Sequence, residues 1–442
     1  MTSYIADQSR VSHSPKMYDL SQYDSLSVLD GVSLLARAPN SKIAVMDADT
    51  TVTLGEHARA TSIDTAFLGA GDRINIELGN GSSAISARGY AFNLEGMHNS
   101  ITNFGQITSG SGSDYGAAGR GAIFGGGGTF ISNFGKIGNL KAGHYVGIDL
   151  KDGGNTINNL GADSSIAGGS SAIRMAGGNN TITNDGSIKA DHCAAIHITE
   201  SGSFEANTIV NSGTIGLVRN GHAILSEGSA RDTVVNMAGH VDAGTIKGNI
   251  SLGAGMDQVR NYGVIDGTTQ MGAENDKFVN NGDLRGDVHL DEGHDFFDGS
   301  RGTHCGRVFG GKDNDTVFGS AGNDFIVGGE GRDVLYGNAG RDTFVFDAKP
   351  TSATIDELRD FKAADDMIWL DHMVFNFQAG RISADQFRIG SKALDETDRV
   401  IYDQAKGLVS IDLDGSGTAH DAVVFAKVPP WLALTAGNFL FV

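Results

Sequence analysis

A short phrase in which apolar and polar residues alternate recurs along the middle of the chain. It reads NSITNFGQI from Asn99, TFISNFGKI from Thr129, NTINNLGAD from Asn155, NTITNDGSI from Asn180 and NTIVNSGTI from Asn207, and then drifts to DTVVNMAGHV from Asp232, DQVRNYGVI from Asp257 and DKFVNNGDL from Asp276. Its inner asparagine returns about every 25 residues, which is the signature of a repeating coil. A second apolar phrase keeps pace with the first, at Gly147-Ile148, Ala172-Ile173 and Ala195-Ile196.

This periodicity predicts a coil made of three short strands. A strand rises about 3.3 Å per residue, so three strands with their turns need about 25 residues. Alternation places the β-branched residues inside, where each stacks on its counterpart one coil away. The repeated asparagine is predicted to be structural, because asparagines at corners tolerate a left-handed backbone and form amide ladders. The chain is therefore expected to be all-β, with a right-handed parallel β-helix.

The phrase resembles the NxGxI repeats of autotransporter passenger domains and other bacterial surface β-helices, from Asn99 to Leu284. That architecture serves adhesins, lyases and epimerases alike. The resemblance therefore implies a fold without selecting one activity.

The repeat shortens after Asn280, and aspartate becomes the polar residue that leads each phrase. Four consecutive nonapeptides follow, GGKDNDTVF from Gly310, GSAGNDFIV from Gly319, GGEGRDVLY from Gly328 and GNAGRDTFV from Gly337. They resemble the repeats-in-toxin (RTX) pattern GGxGxDxUx, where U is a large apolar residue. The resemblance implies that the helix runs into a parallel β-roll, with the U residues pointing inward and several Ca²⁺ ions held between stacked turns.

The coordination chemistry of calcium explains the spacing of these turns. Ca²⁺ takes six to eight oxygens at about 2.3 to 2.6 Å, more than one short turn can offer, so two turns must share an ion. Turns two nonapeptides apart lie on the same edge, which pairs Asp315 with Asp333 and Asp324 with Asp342. Glycines let the backbone curl so that its carbonyls converge. The alternative is a set of Asx-type loops without metal.

The predicted metal site extends to degenerate turns on both sides of the four nonapeptides. The turns LDEGHDFF from Leu290, MGAENDKF from Met271 and LGAGMDQV from Leu252 resemble half-formed copies. The predicted ligand set is Gly310, Gly311, Asp313, Asp315, Gly319, Gly322, Asp324, Gly328, Gly329, Gly331, Asp333, Gly337, Gly340, Asp342, Asp356, Asp360, Asp291 and Asp295. Asp313 departs from the pattern, because it stands where glycine is usual.

The sequence after Arg341 resembles the segment that follows these repeats in serralysin-type proteases. The DxIxDF phrase of that segment reads here as Asp356, Leu358, Asp360 and Phe361, and the acids Asp365 and Asp366 follow it. These acids either hold one more ion or cap the core. The last stretch resembles the terminal strands of type I secretion substrates and ends in an apolar run, which implies a β-rich cap with a type I secretion signal region. DLDGSGT from Asp412 is predicted to be a hairpin turn, because an EF-hand would need glutamate where Val423 stands.

Composition and charge narrow the partners. The chain has 64 glycines and 5 prolines, which fits regular tight turns. A net charge of −20 argues against nucleic acid and anionic membrane, and favours cations such as calcium. The two cysteines have no metal-ligand spacing. The first 20 residues lack a basic start and an apolar core, and we find no transmembrane segment. We therefore expect an extracellular or cell-surface protein of a Gram-negative bacterium, exported by the type I secretion machinery.

A catalytic motif is not found in the sequence, which has no HExxH and no GxSxG phrase. The densest polar group on a coil is His192, Cys193, His197 and Glu200. A weaker scatter resembling a lyase site is Tyr115, Arg120, His144, Tyr145, Asp149 and Lys151. The preferred function is a non-catalytic surface, matrix or adhesin-type protein that folds on calcium. The alternative is a polysaccharide lyase or uronan epimerase acting on the β-helix face.

The expected organisation has four parts. Residues 1–60 form an amino-terminal cap or first coils, 61–295 the β-helix, 296–347 the RTX β-roll and 348–442 the cap with the secretion signal region. The gradual change from asparagine to aspartate and the shortening period suggest the hypothesis that one solenoid axis runs through both parts. Calcium would then template folding of the whole protein from its carboxyl end. An extracellular polysaccharide or the cell envelope is the expected partner.

Overall fold

The computed structural model describes residues 1–38, 40–109, 121–138, 145–199, 205–217, 219, 221–238, 244–351, 354–417 and 421–442. The chain divides into two compact units, an amino-terminal unit, Met1–Gly253, and a carboxyl-terminal unit, Ala254–Val442. Of the residues considered as a catalytic group, Tyr115, Arg120, His144 and Glu200 lie outside this description. Among the described residues, no helix is long and apolar enough to cross a membrane.

The amino-terminal unit is built from coils of three parallel strands, which form three rows. The first row is Ser3–Ala6, Ser25–Val28, Thr51–Leu54, Asn75–Leu78, Ser100–Asn103, Phe130–Asn133, Thr156–Asn159, Thr181–Asn184, Asn207–Asn211 and Asp232–Asn236. The second row is Arg10–Ser12, Ser33–Ala36, Arg59–Ser62, Ser83–Ser86, Gln106–Ser109, Lys136–Gly138, Ser165–Gly168, Ser187–Ala190, Thr214–Leu217 and Thr245–Lys247. The third row is Lys16–Leu20, Lys42–Met46, Phe67–Gly69, Phe92–Leu94, Ile123–Gly125, Ile148–Leu150, Ser171–Ala176, Ala194–Thr199, His222–Ser226 and Asn249–Ser251.

Alternation along each strand determines which side chains enter the core of this unit. In the strand Thr156–Asn159, Ile157 and Asn159 are buried while Thr156 and Asn158 face outward. Ile157 pairs in register with Ile131 on one side and Ile182 on the other, so identical side chains stack from coil to coil. The three-stranded coil that the periodicity predicts is therefore confirmed.

The inner asparagines of the repeat form a continuous amide ladder along the first row. From Asn103 to Asn211, each Nδ2 donates to the Oδ1 of the next coil, at 2.7 Å from Asn103 to Asn133 and 2.8 Å from Asn184 to Asn211. These side chains are fully buried. The ladder asparagines do not take up the left-handed backbone; that conformation belongs to corner residues such as Asn179, with φ of 59°. Their role is to satisfy one another inside the core.

The carboxyl-terminal unit changes from three strands per coil to two. Its first row is Gln258–Asn261, Lys277–Asn280, Phe296–Asp298, Thr316–Phe318, Val334–Tyr336 and Asp356–Leu358. Its second row is Val264–Asp266, Asp283–Leu284 and Thr303–His304. Its third row is Thr269–Gln270, Val288–Glu292, Arg307–Lys312, Phe325–Glu330, Thr343–Phe346 and Met367–Leu370. Within the described residues the second row ends at His304, after which each coil has two strands, as in a β-roll.

A cap of mixed strands closes the carboxyl-terminal unit. Val400–Asp403 and Leu408–Ile411 form one antiparallel hairpin, and Leu408–Ile411 pairs antiparallel with Val423–Lys427. The described residues of DLDGSGT, 412–417, lie between the last two of these strands, so the prediction of a hairpin turn is confirmed. The remaining elements are strands Gly380–Arg381, Phe387–Ile389 and Phe439–Phe441 and the 3₁₀ turns Ala384–Gln386 and Ala436–Asn438. The predicted fold class, a parallel β-helix and β-roll with a β-rich cap, is confirmed.

Candidate calcium-binding edges of the roll

The two-stranded coils place the glycine turns on two edges of the roll. Turns 310–315 and 328–333 stack on what we call the first edge, and turns 319–324 and 337–342 on the second edge. The backbone N–H of Asp315 donates to Oδ1 of Asp333 at 2.9 Å, and that of Asp324 donates to Oδ1 of Asp342 at 3.0 Å. The structure thus brings together the two aspartate pairs that the spacing predicts.

Each aspartate row continues into the segment after the repeats. The N–H of Asp333 donates to Asp356 Oδ1 at 3.0 Å, and the N–H of Asp342 donates to Asp366 Oδ1 at 3.0 Å. The sequence named both acids as candidates for one more ion, but only Asp356 entered the predicted ligand set, because Asp366 follows no glycine turn. Asp360 accepts from the N–H groups of Gly337 and Asn338 with its two oxygens, so it caps a turn.

Three carboxylates of the roll each keep one oxygen without a hydrogen-bond partner among the described residues. These atoms are Oδ2 of Asp315, Asp333 and Asp342, and the residues are at most 1% exposed. A buried polar atom without a partner costs about 1–3 kcal/mol, and more if it is charged. The Oδ2 atoms therefore need a cation or a donor that the protein itself does not supply.

Burial also changes the acidity of these carboxyl groups. It raises the pKa of Asp315 to about 9, with repulsion from Asp333 and Asp295 adding to the effect. It raises the pKa of Asp342 to about 7, and the pKa of Asp333 is raised by burial as well. A neighbouring cation would reverse these shifts, because it favours the charged form.

Glycine at the start of each turn leaves room where oxygens converge. A Cβ atom added to Gly310 would lie 2.6 Å from Asp315 Oδ2 and would overlap the carbonyl oxygen of Gly328, one coil further on. On the second edge, a Cβ at Gly319 would lie 2.8 Å from Asp324 Oδ2 and 3.0 Å from the carbonyl oxygen of Gly337. A carboxylate from one turn and a carbonyl from the next therefore face the same small space.

The inner positions of the turns have a left-handed backbone. The φ values are 111° at Gly311, 97° at Gly329, 154° at Gly331 and 125° at Gly340. Asp313 adopts φ of 72° where the pattern has glycine, which aspartate tolerates better than most residues. The departure at Asp313 therefore leaves the turn geometry intact.

The first turn of the second edge differs from the others. Ser320 donates its N–H to Asp324 Oδ2 at 2.6 Å, and its hydroxyl lies 3.1 Å from Oδ1. The buried imidazole of His304 places Nδ1 3.8 Å from the same Oδ1. Both oxygens of Asp324 thus have partners, and Gly322 lacks the left-handed backbone found at Gly340.

The donor set suits an ion that prefers oxygen and accepts backbone carbonyls. In the part of the chain that the structure describes, no group of three or more His, Cys, Asp and Glu side chains could hold a metal. Carboxylates of one turn with a carbonyl of the next turn remain, which is the hard, all-oxygen environment of calcium rather than of zinc or copper. Asp315 and Asp333, with the carbonyl of Gly328, fit such an ion.

The stacked glycine turns and buried aspartates are those of a calcium-binding β-roll. Residues 309–344 match the family model of the RTX calcium-binding nonapeptide repeat, in four copies. No curated protein matches the chain. The chain therefore carries a region of the RTX calcium-binding type, as the resemblance implies, and Ca²⁺ is its ion.

A second polar group lies on the third row of the amino-terminal unit. Arg174 pairs in register with Asp149 and with His197 on the neighbouring strands. Its guanidinium donates to Asp149 at 2.9 Å, and His197 Nε2 lies 3.3 Å from Glu227 Oε2. The sequence missed Arg174 and Glu227, because only the coil register brings them beside Asp149 and His197.

The predicted group around Cys193 is divided by the fold. His192 lies in the turn before the strand Ala194–Thr199, with its Nδ1 3.2 Å from Asp191, whereas His197 lies on the strand itself. Cys193 is exposed and free, as is Cys305. Neither cysteine takes part in a disulfide.

Proposed function

We propose that this chain is a secreted protein whose roll folds on calcium outside the cell. The observation that supports it most directly is that the buried Oδ2 atoms of Asp315 and Asp333 on the first edge and of Asp342 on the second edge have no partner among the described residues. Calcium would be held by these carboxylates and by carbonyls of the glycine turns. Asp356 extends the row, while Asp360 acts as a turn cap.

The difference in calcium concentration across the cell envelope would determine where the roll folds. In the cytosol calcium is scarce, so stacked carboxylates would repel and the roll would stay largely unfolded. Outside the cell calcium is about millimolar, and a ligand that binds only the folded state stabilises it. Export of an unfolded chain by the type I machinery of a Gram-negative bacterium is consistent with the resemblance of residues 348–442 to the ends of its substrates.

Circular dichroism of the full chain tests calcium-dependent folding. In chelator the β-sheet signal is expected to fall, and millimolar calcium is expected to restore it, whereas millimolar magnesium should restore much less because it favours rigid octahedral sites. An identical spectrum with and without calcium would refute the proposal.

The biological role we favour is non-catalytic, at the cell surface or in the extracellular matrix, as an adhesin-type protein. The amino-terminal unit supports this role because its buried asparagines are engaged in ladders that hold the coils together. On its third row, Arg174 and Asp149 neutralise each other, and Glu227 faces His197. Extracellular polysaccharide or envelope components are the partners that such a surface would meet.

A polysaccharide lyase or uronan epimerase is the second candidate. The observation in its favour is that Arg174 and His197 lie side by side on one outward face, where a basic residue and a proton acceptor could meet a uronate. Incubating the protein with several acidic glycans and following the ultraviolet absorbance of unsaturated uronate distinguishes the two roles. Turnover that is lost in Arg174→Ala and in His197→Ala, but kept in Lys189→Ala on the second row, would favour the enzyme.

A further inference from the structure

Two turns ahead of the matched repeats have the backbone of the first edge. They are residues 271–276 and 290–295, in the coils that still have three strands. Their left-handed positions stand four and two residues before the aspartate, at Gly272 (φ 111°), Glu274 (81°), Asp291 (75°) and Gly293 (145°). The matched turns have the same two positions at Gly311 (111°), Asp313 (72°), Gly329 (97°) and Gly331 (154°). The four turns are therefore built alike, although the family model begins only at residue 309.

The aspartates of these turns extend the row of the first edge. The N–H of Asp276 donates to Asp295 Oδ1 at 2.7 Å, and the N–H of Asp295 donates to Asp315 Oδ1 at 2.9 Å. This is the bond that joins Asp315 to Asp333 in the matched repeats. One unbroken row of carboxylates thus runs from Asp276 into the roll.

Asp276 and Asp295 each have an oxygen without a hydrogen-bond partner, as the aspartates of the matched sites do. Each residue is 3% exposed, and each Oδ2 is buried without a hydrogen-bond partner among the described residues. Burial raises the pKa of Asp276 to about 8 and that of Asp295 to about 7. A bound cation would satisfy both oxygens.

At another corner of these coils, buried asparagines form a row in which every donor described here has an acceptor. Asn261 donates to Asn280 Oδ1 at 2.8 Å, and Asn280 donates to the carbonyl oxygen of Thr303 at 2.9 Å. An amide carries both a donor and an acceptor, so an asparagine row needs no ion. An aspartate row has acceptors only and needs one.

We infer that the turns 271–276 and 290–295 form further calcium sites, one ion between them and one between 290–295 and 310–315. The first edge would then bind ions ahead of the matched repeats, along one side of the three-stranded coils only. This inference rests on the proposed calcium binding by the roll.

The new sites differ from the matched sites at the residue five positions before the aspartate. Met271 and Leu290 stand there in place of Gly310 and Gly328. A side chain at Gly310 would approach Asp315 Oδ2 to 2.6 Å, so Met271 and Leu290 restrict the space beside the carboxylate. The new sites therefore bind calcium more weakly than the matched sites.

Counting bound ions on the full chain tests the inference. Equilibrium dialysis against radioactive calcium, up to several millimolar, is compared for the wild type, Asp276→Asn and Asp295→Asn. Asparagine keeps the oxygen that accepts the backbone N–H and removes the anionic ligand, and Asn207 already neighbours Asp232 in a comparable row. Each variant is expected to bind at least one ion fewer at saturation. Asp298→Asn, on the outward side of the same coil, should bind as many ions as the wild type.

The outcomes separate this inference from the proposed function. A wild-type chain that binds no calcium overturns both. A wild type that binds calcium, together with unchanged ion counts in Asp276→Asn and Asp295→Asn, overturns only the upstream sites. The wild-type isotherm should also contain a weaker class of site beside the tight class, and a single class would overturn the upstream sites even if the variants failed to fold.

Discussion

Asp315 is the residue at which the conflict between burial and charge in the roll is greatest. Its folded pKa is raised to about 9 by burial, well above the ordinary value of an aspartate, so between the two values the folded state binds more protons than the unfolded state. Stability without calcium must therefore fall as pH rises through this window. With calcium the carboxylate has to be ionised, so the trend reverses.

In chelator we expect the roll to unfold at a higher temperature at pH 5 than at pH 8, where its ionised carboxylates should leave a small transition or none. In millimolar calcium the higher temperature should be found at pH 8. Asp342, whose pKa is raised to about 7 by burial, adds to both trends. Scanning calorimetry of the full chain in the two buffers measures them, and a parallel pH dependence with and without calcium would contradict the assignment of these carboxylates as ligands.

Gly310 allows the shared oxygen space to be tested apart from backbone conformation. Its φ is not in the left-handed region, so Gly310→Ala adds only a Cβ, between Asp315 Oδ2 and the carbonyl oxygen of Gly328. We expect at least a tenfold loss of calcium affinity, because a shift of about 1.4 kcal/mol already gives that factor. Gly322→Ala is the control, because the atom nearest to a Cβ added at Gly322 is Ser320 Oγ, at 3.3 Å, so the methyl group meets no carboxylate or carbonyl oxygen. Equal affinities of the two variants by calorimetric titration would argue against the shared space.

At the scale of the element, the amide ladder is the feature that fixes one coil on the next. Asn184 accepts from Asn159 at 2.7 Å and donates to Asn211 at 2.8 Å, inside a fully buried column. Asn184→Ala leaves an orphaned group on both neighbours, each costing about 1–3 kcal/mol. Asn158→Ala, on the outward side, should change stability little. Urea unfolding in calcium compares them, and equal midpoints would show that the ladder contributes nothing.

The elements were predictable where one residue type repeats at a fixed period. The burial of Ile157 and Asn159 could be predicted from the repeated phrase alone. Alternation along the strand turns both side chains inward, and the period of the repeat stacks each on its counterpart in the next coil. The placement of Asp366 did not follow, since its row is reached through a segment without the glycine pattern. The hydrogen bonds from Ser320 to Asp324 were also not predicted, because a serine at a glycine position does not indicate which group its hydroxyl will bind. Residues that depend on register between distant coils, such as Arg174, need the fold.

At the scale of the whole molecule, the two units differ in what satisfies their buried polar groups. In residues 1–253 the asparagine row pairs donor with acceptor, as between Asn133 and Asn159. In residues 254–442 the rows end in carboxylate oxygens such as Asp333 Oδ2. The first arrangement is complete without a metal, whereas the second has buried carboxylates that need a cation or a proton.

In hydrogen–deuterium exchange of the full chain, the two units should therefore differ in how their amide protection depends on calcium. In chelator, we expect peptides from residues 296–347 to lose protection and those carrying the Asn103–Asn236 ladder to keep it, because the ladder is satisfied by its own amides. The hypothesis that calcium templates the folding of the whole chain predicts instead that both units lose protection in chelator. Asn184→Ala is the matched control, since it should weaken protection in the amino-terminal unit whether or not calcium is present. Protection of both units in chelator would mean that the roll folds without its ion.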